Sequence, residues 1–181
     1  MRVYVCVTGD LFHYGHIRFF KKARGFGAKL IVGICSDDHV SAYKRRPILN
    51  LEERSEVIRT CVLVDEIVIK ALPATDKKFM ELHRIDTVVA STEYSEAILR
   101  KYYNYPQEIG SLKMVDYTAG ISTTDIILRC HKAVTEEASQ KKYLRKFPTL
   151  LNRSQTKRQP VKIWTPNNSE DNSHLLGRMR G

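Results

Sequence analysis

Two histidines three positions apart, His13 and His16, flank Gly15 in TGDLFHYGHIRFFKK (residues 8–22), between an apolar run and a basic run of helical spacing. Such a pair has two readings. It is either a structural cap on the first turn of a helix, or two hydrogen-bond donors to a phosphate chain where helix amides already favour an anion. On the second reading Gly15 admits the anion close to the backbone, and the imidazoles bind more strongly as charge grows on a reacting phosphorus. Neither histidine is read as a metal ligand. Lys44-Arg45-Arg46, ahead of Pro47, reads on its own as a solvated charge run. Ser122 and Thr123 open a helix, where capping and anion binding use the same amides. Asp10 suits fixing a turn. Tyr94, Tyr102, Tyr103 and Tyr105, beside Glu93, are either the packing and dimer face of a helix or an aromatic cage for an alkylammonium.

Positioning these groups requires alternating elements. RVYVCV (2–7) and KLIVGIC (29–35) are short β-branched runs, separated by helical spacing over 17–24 that Gly25 and Gly27 end. Asn50 and Glu53 have capping-box spacing and open a helix over 51–61, followed by a strand over 64–70. A helix over 76–83, a strand over 85–90, a Tyr-rich helix near 95–103, a short strand over 112–117 and a helix from Ser122 through Ala133 complete the series. Strands alternating with helices predict an open parallel α/β sheet of about five strands with helices on both faces. Ligands of such sheets sit beyond the carboxyl ends of the strands, where the strand order reverses. The His13–His16 stretch lies at such an end.

The chain of 181 residues has room for one domain and a tail. We expect a domain over 1–135, a basic helix over 136–147 and a flexible basic tail over 148–181. Residues 1–140 carry 20 Lys and Arg against 18 Asp and Glu, whereas residues 141–181 carry 10 against 2, so the net charge of +10 belongs mostly to the tail. That tail could touch an anionic membrane or nucleic acid. Four scattered cysteines without CxxC spacing, three of them in apolar runs, favour a reducing, cytoplasmic setting and argue against a zinc cluster. No apolar run approaches a membrane span, and the N-terminal residues lack a signal-peptide pattern.

The segments GDLFHYGH (9–16), YKRRPILNLEER (43–54), VDEIV (64–68) and AGISTTDII (119–127) occur in an order that resembles the cytidylyltransferases that activate phosphorylated alcohols. The resemblance covers about residues 1–135. It implies a Rossmann-like nucleotidyltransferase fold, usually a homodimer. It also implies that CTP and a phospho-alcohol such as phosphocholine or phosphoethanolamine give CDP-alcohol and pyrophosphate. Mg²⁺ would be held mainly by the nucleotide phosphates, with no metal ligand from the chain. His13, His16 and Lys44 would be catalytic. The nucleotide would lie against Thr8, Gly9, His13, Tyr14, Gly15, His16, Lys44, Tyr117, Thr118, Gly120, Ile121, Ser122 and Thr123, and the acceptor against Tyr94, Tyr102 and Tyr103. The chain departs from the family pattern at Val7, Gly9, Val62 and Tyr117. It also departs over Ala90-Ser91-Thr92-Glu93, where many relatives carry an HGDD-like stretch. Two alternatives stay open: the same fold using ATP, and a weakened nucleotide- or nucleic-acid-binding protein with a basic tail.

Overall fold

The computed structural model describes residues 1–72 and 75–146. Strands β1 (Arg2–Val7) and β2 (Lys29–Ile34) form from the two β-branched runs and are buried over most of their length, as strands covered on both faces must be. Helix α1 (Tyr14–Arg24) joins them. It begins before Ile17, where helical spacing first becomes visible, because His13 caps it. Helix α2 (Asp37–Ser41) was not foreseen from the sequence; Ser36 caps it and two aspartates occupy its first turn. The expected Asn50–Glu53 capping box opens α3 (Leu51–Arg59), which leads to β3 (Glu66–Ile69). Then follow α4 (Lys77–Leu82), β4 (Thr87–Ser91), α5 (Glu96–Glu108), β5 (Leu112–Val115) and α6 (Thr123–Lys146).

Helix α5 runs past the expected end near 103, with Pro106 inside it and non-helical angles at Tyr103 (φ −127°, ψ 16°). Proline lacks an N–H and crowds the carbonyl four residues back, which is that of Tyr102. Thr75 takes up this carbonyl, donating from its backbone amide at 3.0 Å and its hydroxyl at 3.1 Å.

All five strands are parallel, in the order β3-β2-β1-β4-β5, so the expected fold class is the one observed. The chain works outward from β1 to β3 and then returns to place β4 on the other side of β1. β1 and β2 remain paired from Arg2–Lys29 to Val7–Ile34, but β1 and β4 pair only at Val3–Thr87 and Tyr4–Val88. Beyond Tyr4 they part, and this reversal point opens a crevice at their carboxyl ends.

Side chains of β1 alternate between two cores. Tyr4 and Cys6 join Ile31, Val88, Met80 of α4 and Tyr103 of α5; Val3 and Val5 join Leu30, Val32, Phe20 of α1 and Ile58 of α3. Each fully buried aliphatic or aromatic side chain contributes about 1.5–3 kcal/mol. At Gly33 the packing leaves no room for a Cβ, which would lie 2.0 Å from the Tyr4 hydroxyl and 2.9 Å from the Ala71 Cβ. Gly33→Ala should therefore destabilise the protein by about 2–3 kcal/mol. The urea midpoint should fall at constant m-value, and an unchanged midpoint would contradict this packing.

The opposite, amino edge of the sheet is fastened by charge. Arg2 grips Glu66 with both terminal guanidinium nitrogens, at 2.6 and 2.7 Å. Asp65 accepts from Arg24 and from the Leu30 amide. The VDEIV segment thus anchors β3, away from the crevice. Asp65 and Glu66 are held below the usual carboxylate range: the Leu30 amide and Arg24 overcome desolvation at Asp65, and the Arg2 hydrogen bond dominates at Glu66.

The chain divides into two units, Met1–Val134 and Thr135–Gly181. In the second, residues 135–146 belong to α6, and the tail expected over 148–181 lies outside the described residues.

Candidate active site

The turn from β1 into α1 places the two histidines. His13 is the N-cap of α1: its Nδ1 accepts from the Gly15 amide at 3.1 Å, while the Nδ1 of His16 accepts from the His13 amide at 3.2 Å. Two imidazoles thus form a reciprocal capping box, the role an Asn–Glu pair fills in α3. With both Nδ1 atoms accepting, each ring carries its proton on Nε2 and presents one N–H donor at its far end. The cap and phosphate-donor readings are therefore compatible: one nitrogen of each ring serves the first and the other remains for the second.

The same bonds alter the expectation that α1 offers open amides to an anion. The Gly15 amide is engaged by His13, and the His16 amide donates to the His13 carbonyl at 3.0 Å. The donors available at this end of α1 are chiefly the imidazoles. Gly15 is required by packing, because a Cβ would lie 2.8 Å from His13 Cε1 and 3.1 Å from Ile121 Cγ2.

Both rings are neutral donors near neutral pH. Burial lowers the His13 pKa, and burial reinforced by the His13 charge pushes His16 down to about 4. The ring centroids are 4.0 Å apart, and Phe12 stacks on His16 from behind at 5.3 Å. As pH falls from the ordinary value of 6.5 toward 4, an unfolded chain takes up a proton at His16 that the folded chain refuses. Stability supplied by neutral His16, on the order of 3 kcal/mol at full effect, is present above pH 6.5 and lost across that window. His16→Asn keeps an oxygen where Nδ1 accepts but removes the titration. Its thermal midpoint should fall less steeply than that of wild type between pH 6.5 and 4.5; parallel slopes would refute the assignment.

Helix α6 faces this turn with a second N-terminus. Ser122 Oγ accepts from the Asp125 amide at 3.1 Å and donates to the Asp125 carboxylate at 2.7 Å. Thr123 Oγ1 donates to the Asp10 carbonyl at 2.9 Å, tying α6 to the β1–α1 turn. These hydroxyls hold the helix start in place; Ser122 engages the Asp125 amide, and the Thr123 and Thr124 amides precede the first bond of the helix. Tyr117 donates its hydroxyl to the Ile121 carbonyl at 3.2 Å, closing the turn before α6.

Asp10, 3% exposed, anchors the loop that carries Lys44. Its carboxylate accepts from the Ile48 and Leu49 amides at 3.0 Å and from Arg45 at 2.9 Å. Burial works against its charge, but these donors outweigh burial and keep the carboxyl below its usual range. Asp10 is structural as expected, but its side chain holds a loop distant in sequence instead of its own turn. Below it lies Arg54, fully buried, a residue sequence reasoning left without a role. Its guanidinium donates to the carbonyls of Leu49, Thr8 and Cys35 and pairs with Asp37, joining the ends of β1 and β2 to α2. No charge pattern distinguishes it from an exposed arginine; only its place one turn inside a capped helix hints at burial.

These parts surround one cavity of roughly 800 Å³ in the crevice. Of the expected residues, Thr8, Gly9, His13, Gly15, His16, Lys44, Tyr117, Thr118, Ile121, Ser122 and Thr123 line it, as do Tyr94, Tyr102 and Tyr103. Tyr14 and Gly120 are not in its wall; Tyr14 is exposed, with Arg18 over its ring. Cys6, Cys35, Tyr43, Arg45 and Phe19 line it without having been expected. At its aromatic end Tyr94 stacks on Tyr103 with centroids 5.9 Å apart. Burial raises both phenols, Tyr94 to about 12, so both are neutral. Val62 is 95% exposed and absent from the wall. Among the described residues no group of three His, Cys, Asp or Glu could hold a metal ion, and no helix is long and apolar enough to cross a membrane.

A parallel sheet reversed beside β1, with two helix N-termini and paired imidazoles at its carboxyl edge, defines a Rossmann-like α/β protein of nucleotidyltransferase type. The chain belongs to the cytidylyltransferase-like family, which it matches over residues 6–129. It is 37% identical over 132 residues to choline-phosphate cytidylyltransferase A of Rattus norvegicus, covering 71% of this chain and 36% of that protein. To ethanolamine-phosphate cytidylyltransferase of Arabidopsis thaliana it is 36% identical over 155 residues, covering 78% and 37%. The chain thus spans little more than a third of the length of these relatives. The lipopolysaccharide core biosynthesis protein from Thermoplasma volcanium GSS1 shares the fold. Its TM-score is 0.53 at 22% identity, over 67% of this chain and 98% of that one.

Proposed function

We propose that the protein transfers CMP from CTP to a phosphorylated amino-alcohol of the phosphocholine or phosphoethanolamine kind, releasing pyrophosphate. The observation that carries this reading is a single cavity with paired Nε2–H donors and the α6 N-terminus at one end and neutral tyrosines at the other. Relatives named for choline phosphate and ethanolamine phosphate support the choice of acceptor.

In the reaction an acceptor phosphate oxygen attacks the α-phosphorus of CTP in line. That P–O bond forms as the bond to the bridging oxygen breaks, and pyrophosphate carries away the charge. His13 and His16 donate to the triphosphate oxygens without supplying charge, Lys44 neutralises the α-phosphate, and the α6 amides receive the distal phosphates. Thr8 and Gly9 line the nucleotide, and the wall of Tyr94, Tyr102 and Tyr103 receives the acceptor; Tyr103, 2% exposed and stacked on Tyr94, backs that wall, and Lys101 lies over the Tyr102 ring. The Asp10 carboxylate, in the cavity wall, is already engaged by Ile48, Leu49 and Arg45. In this proposal Mg²⁺ arrives on the nucleotide phosphates and offsets their charge.

Thermal shift of the full chain with CTP, ATP and Mg²⁺ tests nucleotide choice. CTP should raise the midpoint, and His13→Ala should abolish the rise. A larger rise with ATP would make the protein an adenylyltransferase, and no rise with either would contradict the reading. A homodimer, a cytoplasmic location, and a contact of the basic tail with anionic membrane or nucleic acid are further parts of the proposal. Sedimentation equilibrium tests the dimer, cell fractionation the location, and salt-dependent retention on anionic vesicles or RNA the tail.

A further inference from the structure

The floor of the cavity holds two thiols that the proposed transfer does not use. Cys6 near the end of β1 pairs with Gly33, and Cys35 lies two residues further, just beyond β2, in the same core cluster, with Sγ 3.5 Å from Sγ. Both are almost fully buried from bulk solvent, at 6% and 3% exposure, yet both face the cavity. Cys61 packs against the opposite core and Cys130 is exposed on α6. We propose that Cys6 and Cys35 are a reversible dithiol–disulfide site, oxidised by small hydroperoxides that enter through the cavity.

The two sulfurs differ in their surroundings: Arg54 donates to the Cys35 carbonyl at 2.9 Å, and Lys44 shares the cavity wall with Cys35. The hydrogen bond shared with Cys6 lowers the Cys35 pKa against the opposing effect of burial, and the positive field of Arg54 and Lys44 adds to it; the same hydrogen bond and burial raise that of Cys6. Cys35 is therefore the attacking thiolate. Its sulfur displaces hydroxide from the peroxide as the O–O bond breaks, leaving a sulfenic acid on Cys35 and, after protonation, one water. Cys6 then attacks that sulfur: the S–S bond forms, the S–O bond breaks, and the departing hydroxide takes the Cys6 proton to give a second water. Two thiols and one hydroperoxide give one disulfide, with two electrons passing to the peroxide. A nearby resolving thiol favours this outcome over further oxidation of Cys35.

Closing 3.5 Å to a bond of about 2.05 Å draws together the strand ends that Arg54 spaces by holding the Thr8 and Cys35 carbonyls. Resting on the nucleotide reading above, the oxidised form binds CTP about tenfold more weakly or worse, and a thiol reductant restores binding.

The test treats the reduced full-length chain, at low concentration, with rising hydrogen peroxide, followed by alkylation and non-reducing peptide mapping. The main product should be a Cys6–Cys35-linked peptide in a chain lighter by two hydrogens, reversed by dithiothreitol. Phenylarsine oxide, which needs two adjacent thiols, should bridge the pair in Cys61→Ala/Cys130→Ser and prevent the link. Exposed Cys130 reports in wild type that oxidant has acted. Sulfinic acid on Cys35 with Cys6 unlinked, or no link at peroxide levels that oxidise Cys130, would overturn the proposal. A link in a chain that binds no CTP even when reduced would sustain this site and refute the nucleotide reading instead.

Discussion

Replacing His16 with alanine should lower kcat/KM for nucleotidyl transfer by about 10²–10³-fold, the usual effect of losing one preorganised donor to a reacting oxyanion. The substitution removes two things: the Nε2–H donor, and the Nδ1 that accepts from the His13 amide at 3.2 Å. Isosteres separate them. Asparagine places an oxygen near Nδ1 and preserves the cap but has nothing at Nε2; glutamine reaches the Nε2 position with an amide donor and leaves the cap incomplete. His16→Asn should therefore fold well and be nearly as inactive as His16→Ala, while His16→Gln should retain more activity with lower stability. The reverse order, measured by pyrophosphate release and thermal melting on the same preparations, would show that His16 acts only as a cap.

The second large effect concerns stability. Arg54→Leu should cost about 3–5 kcal/mol, because it leaves the Asp37 carboxylate and the carbonyls of Thr8, Cys35 and Leu49 without their buried donor. Arg54→Lys should recover little. A single ammonium can face Asp37 but cannot span three carbonyls from a planar fork. Urea unfolding measures both, and a loss below about 1 kcal/mol for the leucine variant would mean that the strand ends hold their spacing without the guanidinium.

Much of this arrangement is legible in the sequence because each strand and most helices announce themselves by a local period. Val3 and Val5 against Tyr4 and Cys6 show the alternation, and Asn50 and Glu53 mark a helix start. Elements below the length of a period are hidden: α2 has five residues, with only Ser36-Asp37-Asp38 to signal it. Helix α5 conceals its length because Pro106 normally ends a helix; the Thr75 donors that satisfy the Tyr102 carbonyl come from another part of the chain. The His13–His16 pair could be recognised but not its tautomers, which depend on two particular backbone amides. Arg54 and the Cys6–Cys35 contact were invisible for a related reason. Their partners are set by strand register and long-range packing, which no local spacing encodes.

A cavity that joins a CTP triphosphate to a phosphorylated amino-alcohol must yield a diphosphate product. Phosphorus NMR of the full chain with CTP, Mg²⁺ and either phosphocholine or phosphoethanolamine tests it most directly. Pyrophosphate and the diphosphate signals of a CDP-alcohol should grow together in equal amounts, and His16→Ala should all but stop both. No diphosphate product from either acceptor, in a preparation whose thermal midpoint rises with CTP, would contradict it.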